Sequence, residues 1–139
     1  MQRIYLDTSL YLGILLGEAK AKPFQKTILG KTLCSSTLLL IEAERNLVRL
    51  SRDRLLAPDL FVGALERLKK DKELFLLRDL TVDFCLTGAF PPVRVPRSSD
   101  LIHLRTAMWF QQTGGLELFL TLDDQQYKAA QEFGLPTSS

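Results

Sequence analysis

Ile4-Tyr5-Leu6-Asp7-Thr8-Ser9 decides how the chain is read: a short apolar run stops at an acid followed by two hydroxyls. The apolar pattern then resumes at helical spacing with Leu10, Leu12, Ile14 and Leu15. A strand buried on both faces of a parallel sheet reads as such a run, and it feeds directly into a helix. Ligands of open parallel sheets bind outside the carboxyl ends of the strands. Asp7 therefore stands where a functional acid is expected, although an acid just before a helix also serves as a cap.

Outward from that stretch, strands and helices alternate. Residues 3–6 are the expected first strand, and Thr8 or Ser9 caps a helix running to about Gly17. Pro23 suits the first turn of a second short helix that ends at Gly30. Residues 32–35 form the next apolar strand. A long helix over 36–50 follows, with Leu40, Ala43, Leu47 and Leu50 as its buried seam. Pro58 opens another helix that turns Leu60, Ala64, Leu65 and Leu68 inward and ends in the charged run 69–73. Residues 74–77 are a third strand, and Thr81 caps a short helix containing Val82, Phe84 and Cys85.

Pro91, Pro92 and Pro96 make 90–97 a rigid, non-helical connector. Ser98 or Ser99 then caps a largely apolar, buried helix over 100–112, stopped by Gly114-Gly115. Residues 116–121 are the last strand. Asp123-Asp124 opens the last helix, whose inner face is Tyr127, Ala130 and Phe133 and whose stop is Gly134. The alternation predicts one α/β domain over 1–139, a three-layer α/β/α sandwich around a mainly parallel sheet.

The bulk composition narrows the classes. The chain has 139 residues, 46% hydrophobic and 24% charged, with net charge +2, the profile of a single globular domain rather than a basic coat for nucleic acid. Cys34 and Cys85 are far apart with apolar neighbours and read as buried free thiols of a reducing compartment. One histidine and no paired cysteines exclude most zinc sites. The amino terminus enters a strand at once, and the longest wholly apolar stretch, at Leu38-Leu39-Leu40-Ile41, is far too short for a bilayer. A cytoplasmic protein with no membrane partner is the expectation.

Four acids stand out. Asp7, Asp100 and Asp123 lie at or beside helix starts, where capping explains each one singly. Glu42 lies inside a helix after four apolar residues, where a half-buried carboxylate needs an ion-pair partner such as Arg45, a polar neighbour such as Asn46, or a metal. Together they have a different meaning. Asp7 and Asp123 follow strands and share one sheet edge, Asp100 follows the proline connector, and Glu42 projects from the helix after the second strand. In a right-handed crossover fold the four converge on one crevice. Clustered carboxylates repel one another unless a cation joins them. An all-oxygen set, with the hydroxyls of Ser9 and Thr121 beside it, suits Mg2+ or Mn2+. Such a site activates water for in-line attack on a phosphodiester.

These segments resemble the PIN-domain nucleases, and within them the VapC-type toxins of prokaryotic toxin–antitoxin pairs. The matching residues are Tyr5-Leu6-Asp7-Thr8-Ser9; Ser35-Ser36 through Glu42 to Arg45; Ser99-Asp100-Leu101-Ile102-His103-Leu104; and Leu120-Thr121-Leu122-Asp123 with Ala129-Ala130 and Phe133-Gly134-Leu135. They cover nearly the whole chain in the family's order. The resemblance implies a magnesium- or manganese-dependent endoribonuclease with metal-binding and catalytic residues Asp7, Glu42, Asp100 and Asp123, supported by Ser9 and Thr121. It also implies RNA substrates such as transfer or ribosomal RNA, a homodimer, and a cognate antitoxin whose carboxyl-terminal segment covers the site. Asp124 beside Asp123 leaves the fourth ligand open, with the Thr-x-Asp spacing favouring Asp123. Leu101 stands where the family usually has alanine.

His103, alone on an apolar helix, reads as a satisfied residue of the core or a support to the acids rather than a base. Arg45 and Arg97 are the candidate RNA-binding cations, beside Arg49, Arg52 and Arg94. Part of the apolar surface of Leu10, Tyr11, Leu15 and Leu16, with Phe61 and Val62, offers a groove for an antitoxin helix. The rival readings are a catalytically silent PIN-like module that binds RNA or protein, and a receiver- or phosphatase-like doubly wound domain. The last lacks the expected lysine at a strand end.

Overall fold

The apolar runs pair into one parallel sheet in the computed structural model, which describes residues 2–138. Its strands are β1 (Arg3–Leu6), β2 (Thr32–Ser36), β3 (Phe75–Arg78) and β4 (Leu118–Leu120), in the order β3-β2-β1-β4. Tyr5 is opposite both Cys34 and Phe119, and Cys34 is opposite Leu76. The connecting helices are α1 (Thr8–Leu15), α2 (Lys22–Ile28), α3 (Leu38–Arg52), α4 (Pro58–Asp71), α5 (Val82–Cys85), α6 (Ser98–Gln112) and α7 (Asp124–Phe133).

Because successive strand residues point to opposite faces, the central strands split into two apolar sets. Ile4, Leu6 and Leu120, with Leu33 and Leu118, pack against Leu10, Ile14, Phe24 and Ile28 of α1 and α2. Tyr5, Cys34 and Phe119 face the other way, onto Leu104, Ala107 and Phe110 of α6 and Ala129 and Ala130 of α7. A further cluster joins Tyr11 and Leu12 of α1 to Leu39, Ala43 and Leu47 of α3 and Leu68 of α4. The result is a three-layer α/β/α sandwich, as the alternation predicts. Each large side chain so buried contributes about 1.5–3 kcal/mol.

Gly13 lets α1 sit close to the exit of β4. A Cβ there would lie 2.7 Å from Leu122 Cδ1 and 2.9 Å from Ala21 Cβ. Beyond α7, Gly134 takes the left-handed conformation, with φ 87°, and turns the chain back alongside Phe119. No helix among the described residues is long and apolar enough to cross a membrane.

Local details differ from the sequence expectation. The cap of α1 is Asp7 itself, accepting from the Leu10 N–H, in place of Thr8 or Ser9. Ser36 stays in β2, so α3 starts at Leu38, and its seam is Leu39, Ala43 and Leu47 while Leu40 and Leu50 are half-buried. On α4, Leu60 is exposed and Phe61 turns inward instead. Arg97 occupies the cap position of α6, without a side-chain cap bond from Ser98 or Ser99. In α7 the buried residues are Gln126, Ala129 and Ala130, with Tyr127 and Phe133 only half-buried. Cys34 is buried, whereas Cys85 is exposed because its four-residue helix lies at the surface.

Candidate active site

From β1 the chain moves outward through β2 to β3, then crosses by α5 and α6 to β4 on the other side of β1. That reversal of direction opens a crevice outside the carboxyl ends of β1 and β4. Leu6 pairs with Leu120, so Asp7 and Thr121 leave the sheet side by side. A cavity of about 170 Å³ lies there, and Asp7, Glu42, Asp100 and Asp123 all line it. The convergence expected of the four acids is present. Asp124 is exposed and outside this lining, so geometry favours Asp123, as the Thr-x-Asp spacing does.

Asp7 is held only by neutral donors. Its Oδ1 accepts from Ser9 Oγ at 2.8 Å and the Leu10 N–H at 3.2 Å, and its Oδ2 accepts from Thr121 Oγ1 at 2.5 Å. Both hydroxyl oxygens in turn accept backbone N–H groups, Ser9 from Leu122 and Thr121 from Asp123, each at 3.0 Å. Each hydroxyl has one proton, and this geometry directs both to Asp7. Burial nevertheless raises the Asp7 pKa, outweighing the His103 field and these hydrogen bonds. Asp7 therefore both caps α1 and presents a desolvated carboxylate to the cavity.

Glu42 reaches the same cavity from the second turn of α3. Thr8 Oγ1 donates to its Oε1 at 2.6 Å, and His103 Nε2 lies 2.7 Å from the same oxygen. On the far side of the imidazole, Nδ1 is 2.7 Å from the Tyr5 hydroxyl. Burial holds the Tyr5 pKa well above its ordinary value, so the phenol keeps its proton. An ionised carboxylate can only accept, so Nε2 is the donor to Glu42, while Nδ1 and the phenol share the hydrogen bond on the other side of the ring. Burial pushes the Glu42 carboxyl upward, but the His103 and Thr8 hydrogen bonds outweigh it and leave the pKa below the ordinary value. His103 is thus a buried support for an acid, in line with its reading as a satisfied residue. The Arg45 and Asn46 alternatives for Glu42 are not its side-chain partners: Asn46 donates to the Glu42 carbonyl, and Arg45 is exposed and off the cavity.

The remaining two acids share a cation from the chain itself. Arg97 Nε donates to Asp100 Oδ2 at 2.9 Å and Nη2 to Asp100 Oδ1 at 3.2 Å. Nη2 also donates to Asp123 Oδ2 at 3.2 Å, while Asp123 Oδ1 caps α7 through the Gln126 N–H at 2.9 Å. The Asp100 hydrogen bonds, then its charge and that of Asp123, raise the Arg97 pKa despite partial desolvation.

No family model matches the chain, and no curated protein matches it. The chemistry of the site therefore rests on its donors. They are carboxylate and hydroxyl oxygens, a set that suits a hard divalent cation. Arg97 already places one positive charge between Asp100 and Asp123. In this arrangement, among the described residues, no three His, Cys, Asp or Glu side chains are grouped to hold one ion.

Sequence reasoning missed Tyr5 and Thr8 as site residues. The signals were a tyrosine in a strand buried on both faces, whose hydroxyl needs a partner, and a single histidine on an apolar helix, which needs one too.

Proposed function

We propose that the chain is a Mg2+- or Mn2+-dependent endoribonuclease of the PIN-domain, VapC-toxin kind. The observation that carries this reading is the meeting of Asp7, Glu42, Asp100 and Asp123, from four separate segments, on one cavity at the strand ends. An acid cluster without a structural partner for each member is costly to bury, and Asp7 has no cation bonded to it among the described residues.

Asp7, Asp100 and Asp123 would hold the metal, with Glu42 beside it. A divalent ion bound there supplies a lowered pKa for its water and a positive charge for the developing oxyanion of a phosphodiester. Thr8 and His103 fix the Glu42 carboxylate in one orientation and keep it ionised, which suits it to accept a hydrogen bond from the attacking water. Ser9 and Thr121 aim the Asp7 oxygens. Arg97 at the rim, and more weakly the exposed Arg45, would engage the RNA backbone.

The same reading carries the partners that the family resemblance implies: structured RNA such as transfer or ribosomal RNA, a homodimer, and an antitoxin segment. Leu15, Leu16, Leu60 and Ala64 border a cavity of about 290 Å³ between α1 and α4 that is consistent with a helix-binding groove. A cytoplasmic location belongs to the same proposal.

The alternative is a catalytically silent PIN-like module that binds RNA or protein, and the Arg97 bridge across two of the acids favours it. Cleavage of a structured RNA in magnesium, in manganese and in chelator separates the two. The endoribonuclease cuts in either metal and stops in chelator. Absence of cleavage in every condition, with RNA still bound, establishes the silent module instead.

A further inference from the structure

Arg97 is in an unusual position for a surface arginine. Its side chain is 62% exposed, yet three N–H groups are committed to two acids of one cavity. Asp100 is the more demanding partner, because its side chain is only 9% exposed and a desolvated carboxylate needs a cation or strong donors. Among the described residues no other lysine or arginine forms an ion pair with any of the four acids. Arg94, in the same proline connector, lines a neighbouring cavity and pairs with no carboxylate among those residues.

The Arg97 backbone is extended, at φ −136° and ψ 154°, just outside the first turn of α6. A long, exposed side chain at that place can swing outward by its own torsions while the helix stays still. Its grip on Asp100 is a two-point guanidinium–carboxylate fork, stronger than an ordinary surface pair. The oxygens in that grip are ones the proposed metal would need.

We infer that Arg97 is the resident counter-cation of the pocket, and that it must leave Asp100 and Asp123 for the pocket to take up a divalent ion. The inference rests on the metal-dependent reading of the site and adds a built-in competitor to it. Once released, the guanidinium remains at the rim with its donors free, suited to a phosphate of the RNA. Metal uptake and backbone binding then draw on the same residue in the same direction.

The test is calorimetric titration of Mg2+ into the metal-free full chain, as wild type, Arg97→Gln and Arg94→Gln. If the guanidinium covers the acids about nine-tenths of the time, its removal tightens the Mg2+ Kd about tenfold. Arg94→Gln removes the same charge from the same connector without touching the acids, and leaves Kd within about twofold of wild type. Wild-type binding with an unchanged or weaker Kd in Arg97→Gln overturns the inference and leaves the nuclease reading standing. Equal tightening in both variants also overturns it, because the effect is then one of general charge. No binding by any of the three proteins overturns both.

Discussion

Two aspartates of this chain are almost equally buried and are treated in opposite ways. Asp7 is 4% exposed and Asp71 is 8% exposed. Asp71, at the end of α4, has a complete set of partners: Arg67 Nε donates to one oxygen at 3.0 Å and the buried Tyr11 hydroxyl to the other at 2.8 Å. Burial and the Asp71 carboxylate keep the Tyr11 phenol protonated, so it remains a donor. Asp7 has two hydroxyls and one backbone N–H, and it opens onto three more acids. Asp71 is closed by a cation of its own helix, whereas Asp7 has neutral donors alone and no cation bonded to it among the described residues.

Asp7→Asn tests that difference most severely. Magnesium-dependent RNA cleavage is expected to fall by at least about a hundredfold, since even residues that only support metal ligands cost up to that much. The pH dependence of stability in chelator is the second readout. Burial raises the Asp7 pKa above its ordinary 3.8, so the acid favours the fold while protonated, and that advantage is lost as pH rises through the raised value. Asn stays neutral but turns an NH2 toward donors that Asp7 accepts from, so the readable effect is the trend: the melting temperature of the variant relative to wild type rises as pH goes from below the ordinary carboxylate range to 7. Thermal melts across pH in chelator check the sign.

Asp71→Ala reverses the pattern. It leaves the buried Tyr11 hydroxyl without its acceptor and costs about 2 kcal/mol, equally in magnesium and in chelator, as read by urea unfolding. RNA cleavage by the folded fraction is unchanged.

Glu42 sharpens the contrast inside the cavity itself. Its pKa is lowered, so its contribution is present above the ordinary 4.5 and disappears as pH falls through the lowered value. Glu42→Gln is therefore expected to lose about 1 kcal/mol at neutral pH, and the loss vanishes in acid. That pH trend is opposite in sign to that of Asp7→Asn, and an identical trend in the two variants would contradict the separate roles given to these acids. The smallest effect belongs to Asp124→Asn. This exposed neighbour of Asp123 should change stability by no more than about 0.5 kcal/mol and leave the Mg2+ Kd unaltered in titration.

The sheet and the meeting of the acids were legible because both follow from period and position. Alternation within 3–6 and 118–120 sends Tyr5 and Phe119 to one face and their neighbours to the other. Acids just after parallel strands emerge at one edge. What could not be read were choices settled by contacts distant in sequence. Asp71 is in a charged run that looks like a solvated helix end, and only the docking of α1 on α4 brings Tyr11 to it. Leu39 instead of Leu40 forms the buried seam of α3 because that face meets Tyr11 and Leu12 of α1 and Leu68 of α4. Arg97 reads as a phosphate contact in the sequence, and only the fold reveals that its partners are Asp100 and Asp123. The buried line from Tyr5 through His103 to Glu42 spans three elements and has no local signature.

The central claim, that these acids form a metal-dependent phosphodiesterase centre, is tested most directly by an anomalous difference map from crystals of the chain grown with Mn2+. The account predicts a manganese peak in the cavity lined by Asp7, Asp100 and Asp123, with Arg97 turned out of it. A map without a peak there, and with the guanidinium still spanning Asp100 and Asp123, would contradict it.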